Sequence, residues 1–333
     1  MATMPRRVFI SDCEGPITKN DNAAELAEAF IPKGDIFFSK ISLYDDYLAE
    51  VARRPRYKAG DTLRLILPFF KAFGVDNRSM MKFSRRNIRI VPEADHMLKE
   101  ILGLLPAYIV STSYSPYIVA VCDAIGFPFY NTYSTAVNLD NYVLSAGEKV
   151  IVKDILSRIL GLPDFSIPPG AASAEDLSDL DRKTVQTLDE IFWELMPGLE
   201  IYGIISEVNP IGGVEKALAI EKIAAAEKVE LKDVFYVGDS ITDVEAFRLV
   251  RKAGGIAVSF NGNDWAVKEA SFAVTARNAL PIGWLASLFA GHGTTAFEDL
   301  TMSKVTPETA GGISTLSCKV RKTVRTEKIG SLG

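Results

Sequence analysis

The sequence predicts an α/β protein with a Rossmann-like, doubly wound parallel sheet, and three observations support this prediction. Short apolar runs rich in Val, Ile, Phe and Tyr recur at Arg7 to Asp12, Ala107 to Ser113 and Val234 to Ser240. Each run ends in small or acidic residues and is followed by a stretch of helical character. Runs that are apolar on both faces are typical of buried parallel strands. Their alternation with helices therefore indicates a parallel sheet with right-handed crossovers.

The predicted core comes from three separate parts of the chain. The runs Gly255 to Phe260 and Phe272 to Thr275 continue the strand pattern after the third run. Together these runs assign residues 1–18, 88–145 and 203–290 to the core. Two long insertions, at 19–87 and 146–202, interrupt it, and residues 291–333 form a C-terminal extension.

The two insertions and the extension differ in pattern. The first insertion carries apolar residues at three- and four-residue spacing in Ala23 to Phe30, Ile36 to Arg53 and Thr62 to Phe73, which predicts a helical cap. The second contains a loop dense in Pro, Gly, Ala and Ser, Leu162 to Ala174, and its role stays open. In the extension, Lys319 to Lys328 is basic with alternating valines, which predicts an edge strand or a loose tail.

Composition restricts the partners that we expect. The formal net charge of −5 gives no general basic field, so we expect a small-molecule partner and no nucleic acid. No apolar run reaches the roughly 18 residues of a membrane span, so we expect no membrane. Cys13, Cys122 and Cys318 form no CxxC pair, and the first strand leaves no room for a signal peptide, which predicts a cytoplasmic protein. Oligomeric state is open.

Chemically useful side chains follow the predicted strands. Asp12 and Glu14 follow the first strand, Ser111 ends the second, and Asp239 ends the third with Asp243 one helical turn later; Lys216 opens a helix after two glycines. In an open parallel sheet, ligands bind outside the carboxyl ends of the strands. With only two histidines in the chain, carboxylates must carry any metal chemistry.

This set and its order resemble the haloacid dehalogenase-like superfamily. The first motif of that family is a strand ending in DxD, here Asp12-Cys13-Glu14. The second is a strand ending in Ser or Thr, here Tyr108 to Ser113, and the third is a Lys at a helix start, here Lys216. The fourth is GDxxxD, which Gly238 to Asp243 matches letter for letter. The segment around Asp12 resembles the first motif of the phosphoserine phosphatase and phosphotransferase branch. It also resembles that of an archaeal group with the motif DCEGP.

The resemblance implies a Mg²⁺-dependent phosphatase that acts on a small phosphate monoester. Asp12 would form an aspartyl phosphate, and Mg²⁺ would be held by Asp12, Asp239 and the main-chain carbonyl of Glu14, with Asp243 behind them. Ser111 would donate to the phosphate, and Lys216 would offset the crowded negative charge. These roles match the chemistry of phosphoryl transfer, which requires a nucleophile, neutralisation of the phosphate charge and a proton for the leaving group.

Glu14 departs from the family pattern, because most phosphatases of the superfamily carry Asp at this position as general acid and base. Glutamate has the same chemistry and reaches about one methylene further. Members of the phosphoserine phosphatase branch with a D-x-E-G segment make Glu14 compatible with activity. The dehalogenases proper lack a carboxylate here, so Glu14 argues against dehalogenation.

Several alternatives stay open at this point. The chain could transfer phosphate to a small alcohol acceptor instead of water, or could be a regulatory or binding subunit without turnover. Thr112, Ser113 and Ser115 compete with Ser111 for the phosphate contact, and Lys222 competes with Lys216. The first insertion contains six arginines that could clamp a carboxylate or a second phosphate of the substrate. A solvated helical face is the simpler interpretation of this set. The six are Arg53, Arg54, Arg56, Arg85, Arg86 and Arg89.

Overall fold

A computed structural model describes residues 6–298, 300 and 304–330 of the chain. Within them, six strands form one parallel sheet in the order β3-β2-β1-β4-β5-β6. The strands are β1 (Val8–Ser11), β2 (Ala107–Tyr114), β3 (Thr132–Thr135), β4 (Val234–Gly238), β5 (Ile256–Phe260) and β6 (Phe272–Val274). The strand order reverses between β1 and β4, which is the point where open α/β sheets bind ligands. The predicted fold class is confirmed.

Two details of the sheet differ from the prediction. The edge strand β3 was not predicted, because it has only four residues, most of them half-buried and polar. Ser111 does not end its strand, since β2 continues to Tyr114. The register of β2 against β3 shifts between Val110 and Tyr114, so Ser111 lies at an irregularity of the strand.

Helices pack on both faces of the sheet and also build the two insertions. The chain contributes α1 (Asn22–Phe30), α2 (Gly34–Asp46), α3 (Thr62–Leu65), α4 (Leu67–Ala72), α5 (Asn77–Asn87), α6 (Ala94–Leu102), α7 (Ser115–Ile125), α8 (Ala146–Gly161), α9 (Asp179–Glu190), α10 (Gly203–Glu207), α11 (Val214–Glu227), α12 (Val244–Lys252), α13 (Asp264–Glu269), α14 (Leu280–His292), α15 (Pro307–Arg325) and α16 (Glu327–Gly330). None of the described helices is long and apolar enough to cross a membrane.

The two insertions share one hydrophobic core. Buried residues from α1, α2 and α4 pack with residues of α8 and α9 in a single apolar cluster. At its centre the ring of Tyr44 stacks on that of Phe192 with 5.9 Å between centroids. The Tyr44 hydroxyl donates to Asp189 over 2.5 Å and accepts from the Trp193 indole over 2.8 Å. The second insertion therefore supports the helical cap.

The C-terminal extension forms a helix, which corrects the expectation of an edge strand or a loose tail for Lys319 to Lys328. Thr306 caps the N-terminus of α15 through the Thr309 amide, and Pro307 occupies the first turn, where its missing N–H costs nothing. The Ser317 hydroxyl donates to the Gly262 carbonyl over 2.8 Å, so the helix is docked on the loop after β5. The valine alternation was therefore not a strand signal.

Buried Asp45 ties α2 of the cap to the loop that precedes α3. Its carboxylate accepts from the Gly60 amide over 2.8 Å, the Thr62 amide over 3.0 Å and the Tyr57 hydroxyl over 2.6 Å. Gly60 has φ +94°, and a Cβ there would lie 2.9 Å from the Thr112 side chain. A glycine is therefore required where the cap approaches β2.

We expect Asp45→Ala to lower the free energy of unfolding by about 3 kcal/mol, because it leaves two buried amides and the half-buried Tyr57 hydroxyl without their acceptor. Urea denaturation at pH 7 measures the change. Asp154→Ala, on the exposed face of α8, is the matched control and should stay within about 0.5 kcal/mol of the wild type. Equal stability of the two variants would contradict this role of Asp45.

Candidate active site

A cavity between the cap and the carboxyl edge of the sheet collects most of the predicted residues. Its core side includes Asp12, Glu14, Ser111 and Asp239, and its cap side includes Phe38, Ser42, Asp45, Asp46 and Leu63. Asp12 follows β1 and Asp239 follows β4, which are paired neighbours in the sheet. The predicted convergence of strand ends is therefore observed.

Lys216 links two of the carboxylates. Its ammonium donates to Asp12 Oδ2 over 2.5 Å and to Asp243 Oδ1 over 2.7 Å. Lys216 and Asp243 are fully buried, and Asp12 is 4% exposed. A charge buried in this way is stable only when it is paired and hydrogen-bonded. The alternative Lys222 is exposed, so the geometry selects Lys216.

Two glycines bring Lys216 into the site. Gly213 has φ +52°, and a Cβ on Gly212 would lie 2.3 Å from the Ala59 carbonyl oxygen. The tight approach allows α11 to begin at Val214, so that Lys216 is in its first turn. A side chain at Gly212 would push the helix start away from the loop at Ala59, and a side chain at Gly213 would strain the backbone.

Asp243 organises the turn after β4. Its Oδ2 accepts from the amides of Asp239 over 2.9 Å and Ser240 over 3.0 Å. Its Oδ1 accepts from the Tyr236 hydroxyl over 2.6 Å as well as from Lys216. Because four donors share this carboxylate, Asp243 acts as a positioning residue for Asp239.

Three buried carboxylates could together hold a metal ion. Asp12, Asp239 and Asp243 each offer an oxygen within 4.8 Å of the others. Gly15 has φ +103°, and a Cβ at this position would lie 2.2 Å from Asp239 Oδ2, so only glycine fits beside that carboxylate. An oxygen-only set of this kind suits a hard divalent cation. The Asp243 oxygens already accept hydrogen bonds from Lys216, Tyr236 and two main-chain amides, and Asp243 does not line the cavity, which leaves Asp12 and Asp239 as the side chains best suited to contact one.

Glu14 faces the same cavity from the loop after β1. Its Oε1 accepts from the Asn22 amide at the start of α1 over 2.7 Å. Burial raises the pKa of Glu14 well above its usual range, and nearby Asp21 raises it further, while Arg325 opposes the shift. A carboxyl group with a raised pKa can keep its proton at neutral pH and donate it.

Asp12 and Lys216 shift each other's protonation. Burial raises the pKa of the Asp12 carboxyl, and Lys216 opposes that rise. For Lys216, burial favours the neutral amine, but the carboxylates of Asp12 and Asp243 outweigh it and raise the pKa of Lys216. The ammonium thus stays charged and helps to keep Asp12 ionised.

The four hydroxyl groups that could contact a phosphate differ in their hydrogen bonds. Ser111 and Ser113 line the cavity, with 3.2 Å between their Oγ atoms. Thr112 donates to the Ile211 carbonyl, and Ser115 donates to the Thr135 carbonyl, so both are engaged elsewhere. The Ser111 hydroxyl donates to Ser113, so these two are held by each other and not by a main-chain carbonyl, and they are the hydroxyls that can turn toward a phosphate.

Sequence reasoning missed two arginines that enter the cavity from α15. Arg321 and Arg325 both donate to Asp239 Oδ2, the latter over 2.8 Å. Their four-residue spacing places them on one helix face, which was the available signal. The arginines of the first insertion do not line this cavity; Arg54, for example, lies over the Trp193 ring.

Comparison with solved structures identifies the fold as haloacid dehalogenase-like, in the form that phosphoserine phosphatases have. A gene product of Archaeoglobus fulgidus shares 29% identity over 98% of this chain and 99% of its own, with a TM-score of 0.84. A phosphoserine phosphatase solved as a phospho-aspartyl intermediate analogue shares 15% identity over 84% of this chain and 97% of its own, with a TM-score of 0.51. No protein-family model and no curated protein matches the chain.

We expect Lys216→Met to lower the free energy of unfolding by about 3–5 kcal/mol at pH 7, because two buried carboxylates lose their partner. The loss should shrink in acid: without Lys216 the pKa of Asp12 rises further, so the folded variant takes up protons more readily as pH falls. Urea denaturation between pH 5 and 8 measures both effects.

Lys222→Met is the matched control on the same helix, because Lys222 is exposed. It should change stability by less than about 0.5 kcal/mol at every pH. A Lys216→Met protein as stable as this control would show that the ammonium is not needed to pair Asp12 and Asp243.

Proposed function

We propose that the chain is a Mg²⁺-dependent phosphatase that hydrolyses a small phosphate monoester through an aspartyl phosphate on Asp12. The observation that carries this proposal is the buried Asp12 carboxylate, which Lys216 holds at the carboxyl edge of the sheet beside Asp239 and facing a cavity under the cap. The haloacid dehalogenase-like fold supports the same chemistry.

The first step transfers the phosphoryl group to the protein. A carboxylate oxygen of Asp12 attacks phosphorus and forms a P–O bond, while the bond from phosphorus to the ester oxygen breaks. Glu14 gives its proton to that leaving oxygen, so an alcohol departs. Lys216 beside Asp12 offsets the negative charge that builds up between the carboxylate and the phosphoryl oxygens.

The second step releases phosphate. Water attacks phosphorus and transfers a proton to the Glu14 carboxylate, and the bond between phosphorus and the Asp12 oxygen breaks. Inorganic phosphate leaves and Asp12 is regenerated. Ser111 or Ser113 donates to a phosphoryl oxygen through both steps.

The side chains of Asp12 and Asp239, with the main-chain carbonyl of Glu14, would hold Mg²⁺. The ion would supply positive charge to the phosphoryl oxygens. Asp243 would keep Asp239 in place through its backbone amide.

We expect Asp12→Asn to lower phosphate release by at least about 10³-fold, because an amide cannot act as the nucleophile. A panel of phosphate monoesters with and without Mg²⁺, assayed for released phosphate, measures this. Asp154→Asn on the exposed face of α8 is the matched control and should keep wild-type activity.

The same assay separates the alternatives. Phosphate appearing on an added alcohol such as homoserine, in place of free phosphate, would identify a phosphotransferase. Turnover of no monoester by a wild-type protein that still binds Mg²⁺ would favour a regulatory or binding subunit. Wild-type turnover by Asp12→Asn would exclude Asp12 as nucleophile.

We expect Glu14→Gln to lose about 10²–10⁴-fold in kcat/KM on alkyl phosphates and much less on p-nitrophenyl phosphate, whose leaving group needs no proton. Because the first step needs Glu14 protonated, kcat/KM for alkyl esters should fall as pH rises through its raised pKa. The variant should lack that alkaline decline. An equal loss on both ester types would assign the proton to another group.

A further inference from the structure

Helix α15 inserts two arginine side chains into the catalytic cavity. Arg321 is 3% exposed and Arg325 is 5% exposed, although both belong to a C-terminal helix that lies outside the sheet. Both line the cavity that also contains Asp12 and Asp239. Long charged side chains are seldom buried to this degree unless they are paired.

Both guanidinium groups bind the carboxylate that the proposed cation would need. Arg321 Nη1 donates to Asp239 Oδ2 and, over 3.1 Å, to the Asp239 carbonyl. Arg325 Nη1 donates to the same Oδ2 over 2.8 Å. One carboxylate oxygen is therefore shared by two positive side chains.

The arginines are held in place by contacts along the helix and at its end. The Ser314 hydroxyl donates to the Asp264 carboxylate, in the first turn of α13. The Ser317 hydroxyl donates to the Gly262 carbonyl, in the loop after β5. Arg325 also donates to the main-chain carbonyls of Lys19 and Asn20, in the loop between β1 and α1. The helix thus bridges the segment after β5 and the loop after β1.

A divalent cation and these guanidinium groups would compete for the Asp239 carboxylate. A cation bound to Asp239 would lie within a few ångströms of both guanidinium groups in a buried site, where like charges repel strongly. A cation bound to Asp239 Oδ2 would have to displace at least one of the two N–H donors, and a cation bound to Oδ1 would still face both positive charges. Cation binding and the observed arginine contacts therefore oppose each other.

We propose that α15 is an internal plug, which closes the catalytic site through Arg321 and Arg325 and is released from Asp239 when a divalent cation binds. The inference rests on the proposed function, since it takes Asp239 to be a cation ligand. Because linkage is reciprocal, the factor by which the plug weakens cation binding equals the factor by which the cation weakens plug closure.

Direct cation binding tests the plug. We expect Arg321→Ala and Arg325→Ala to bind Mg²⁺ or Mn²⁺ at least about 10-fold more tightly than the wild type in calorimetric titrations, a coupling of ordinary size. Lys319→Ala is the matched control, because it removes one positive charge from the exposed face of the same helix. It should bind the cations with wild-type affinity, and Asp239→Asn should bind them weakly.

The wild-type protein carries its own reporter of helix release. Cys318 lies on α15 and is half-buried, whereas Cys13 and Cys122 are buried in the core. Saturating Mg²⁺ should speed the reaction of Cys318 with a maleimide several-fold and leave Cys13 and Cys122 protected, as mass spectrometry of the labelled protein would show. This measurement needs no substitution and no substrate.

The outcomes separate the two proposals. Equal cation affinity in the wild type and both arginine variants, with no change at Cys318, would overturn the plug and leave the proposed phosphatase intact. Absence of cation binding in the wild type and in both arginine variants would overturn the metal site itself, and the plug with it. Tighter binding in the variants together with faster labelling of Cys318 would support both.

Discussion

The buried ammonium of Lys216 is the constraint on which the rest of the carboxyl edge of the sheet depends. It pairs Asp12 after β1 with Asp243 after β4, so it fixes two strand ends and the start of α11 at once. Asp243 in turn holds the amides of Asp239 and Ser240. Burial of such a pair contributes little net stability, but loss of one partner is costly. The arrangement therefore serves geometry more than stability.

Charge balance at this edge involves the C-terminal helix as well. Asp12, Asp239 and Asp243 are compensated, within the described residues, by Lys216 and by Arg321 and Arg325 of α15. Lys216 belongs to the core and is part of the fold. The two arginines come from a separate helix, and their contacts converge on the one carboxylate that lacks the lysine. This asymmetry is the reason why we propose that a cation can replace the arginines and not the lysine.

The cap and the second insertion act on the site as one unit. Their shared core, with Tyr44 stacked on Phe192, makes the position of the cavity roof depend on residues more than a hundred positions apart in sequence. Asp45 then connects that roof to the loop at Gly60, which lies against Thr112 of β2. The cavity roof is therefore packed against the second insertion and hydrogen-bonded to the loop beside β2.

The sequence by itself determined five of the six strands described in the sheet, all but β3, and most of the acidic site. Asp12, Lys216, Asp239 and Asp243 could be predicted because parallel strands bring their carboxyl ends to one edge and glycines mark the helix start. Tertiary structure alone decided that the insertions share a core, and that Arg321 and Arg325 of α15 reach Asp239. These contacts join segments far apart in the chain, so no local periodicity records them. Amphipathic spacing shows which helix face is buried, but only packing decides what that face touches.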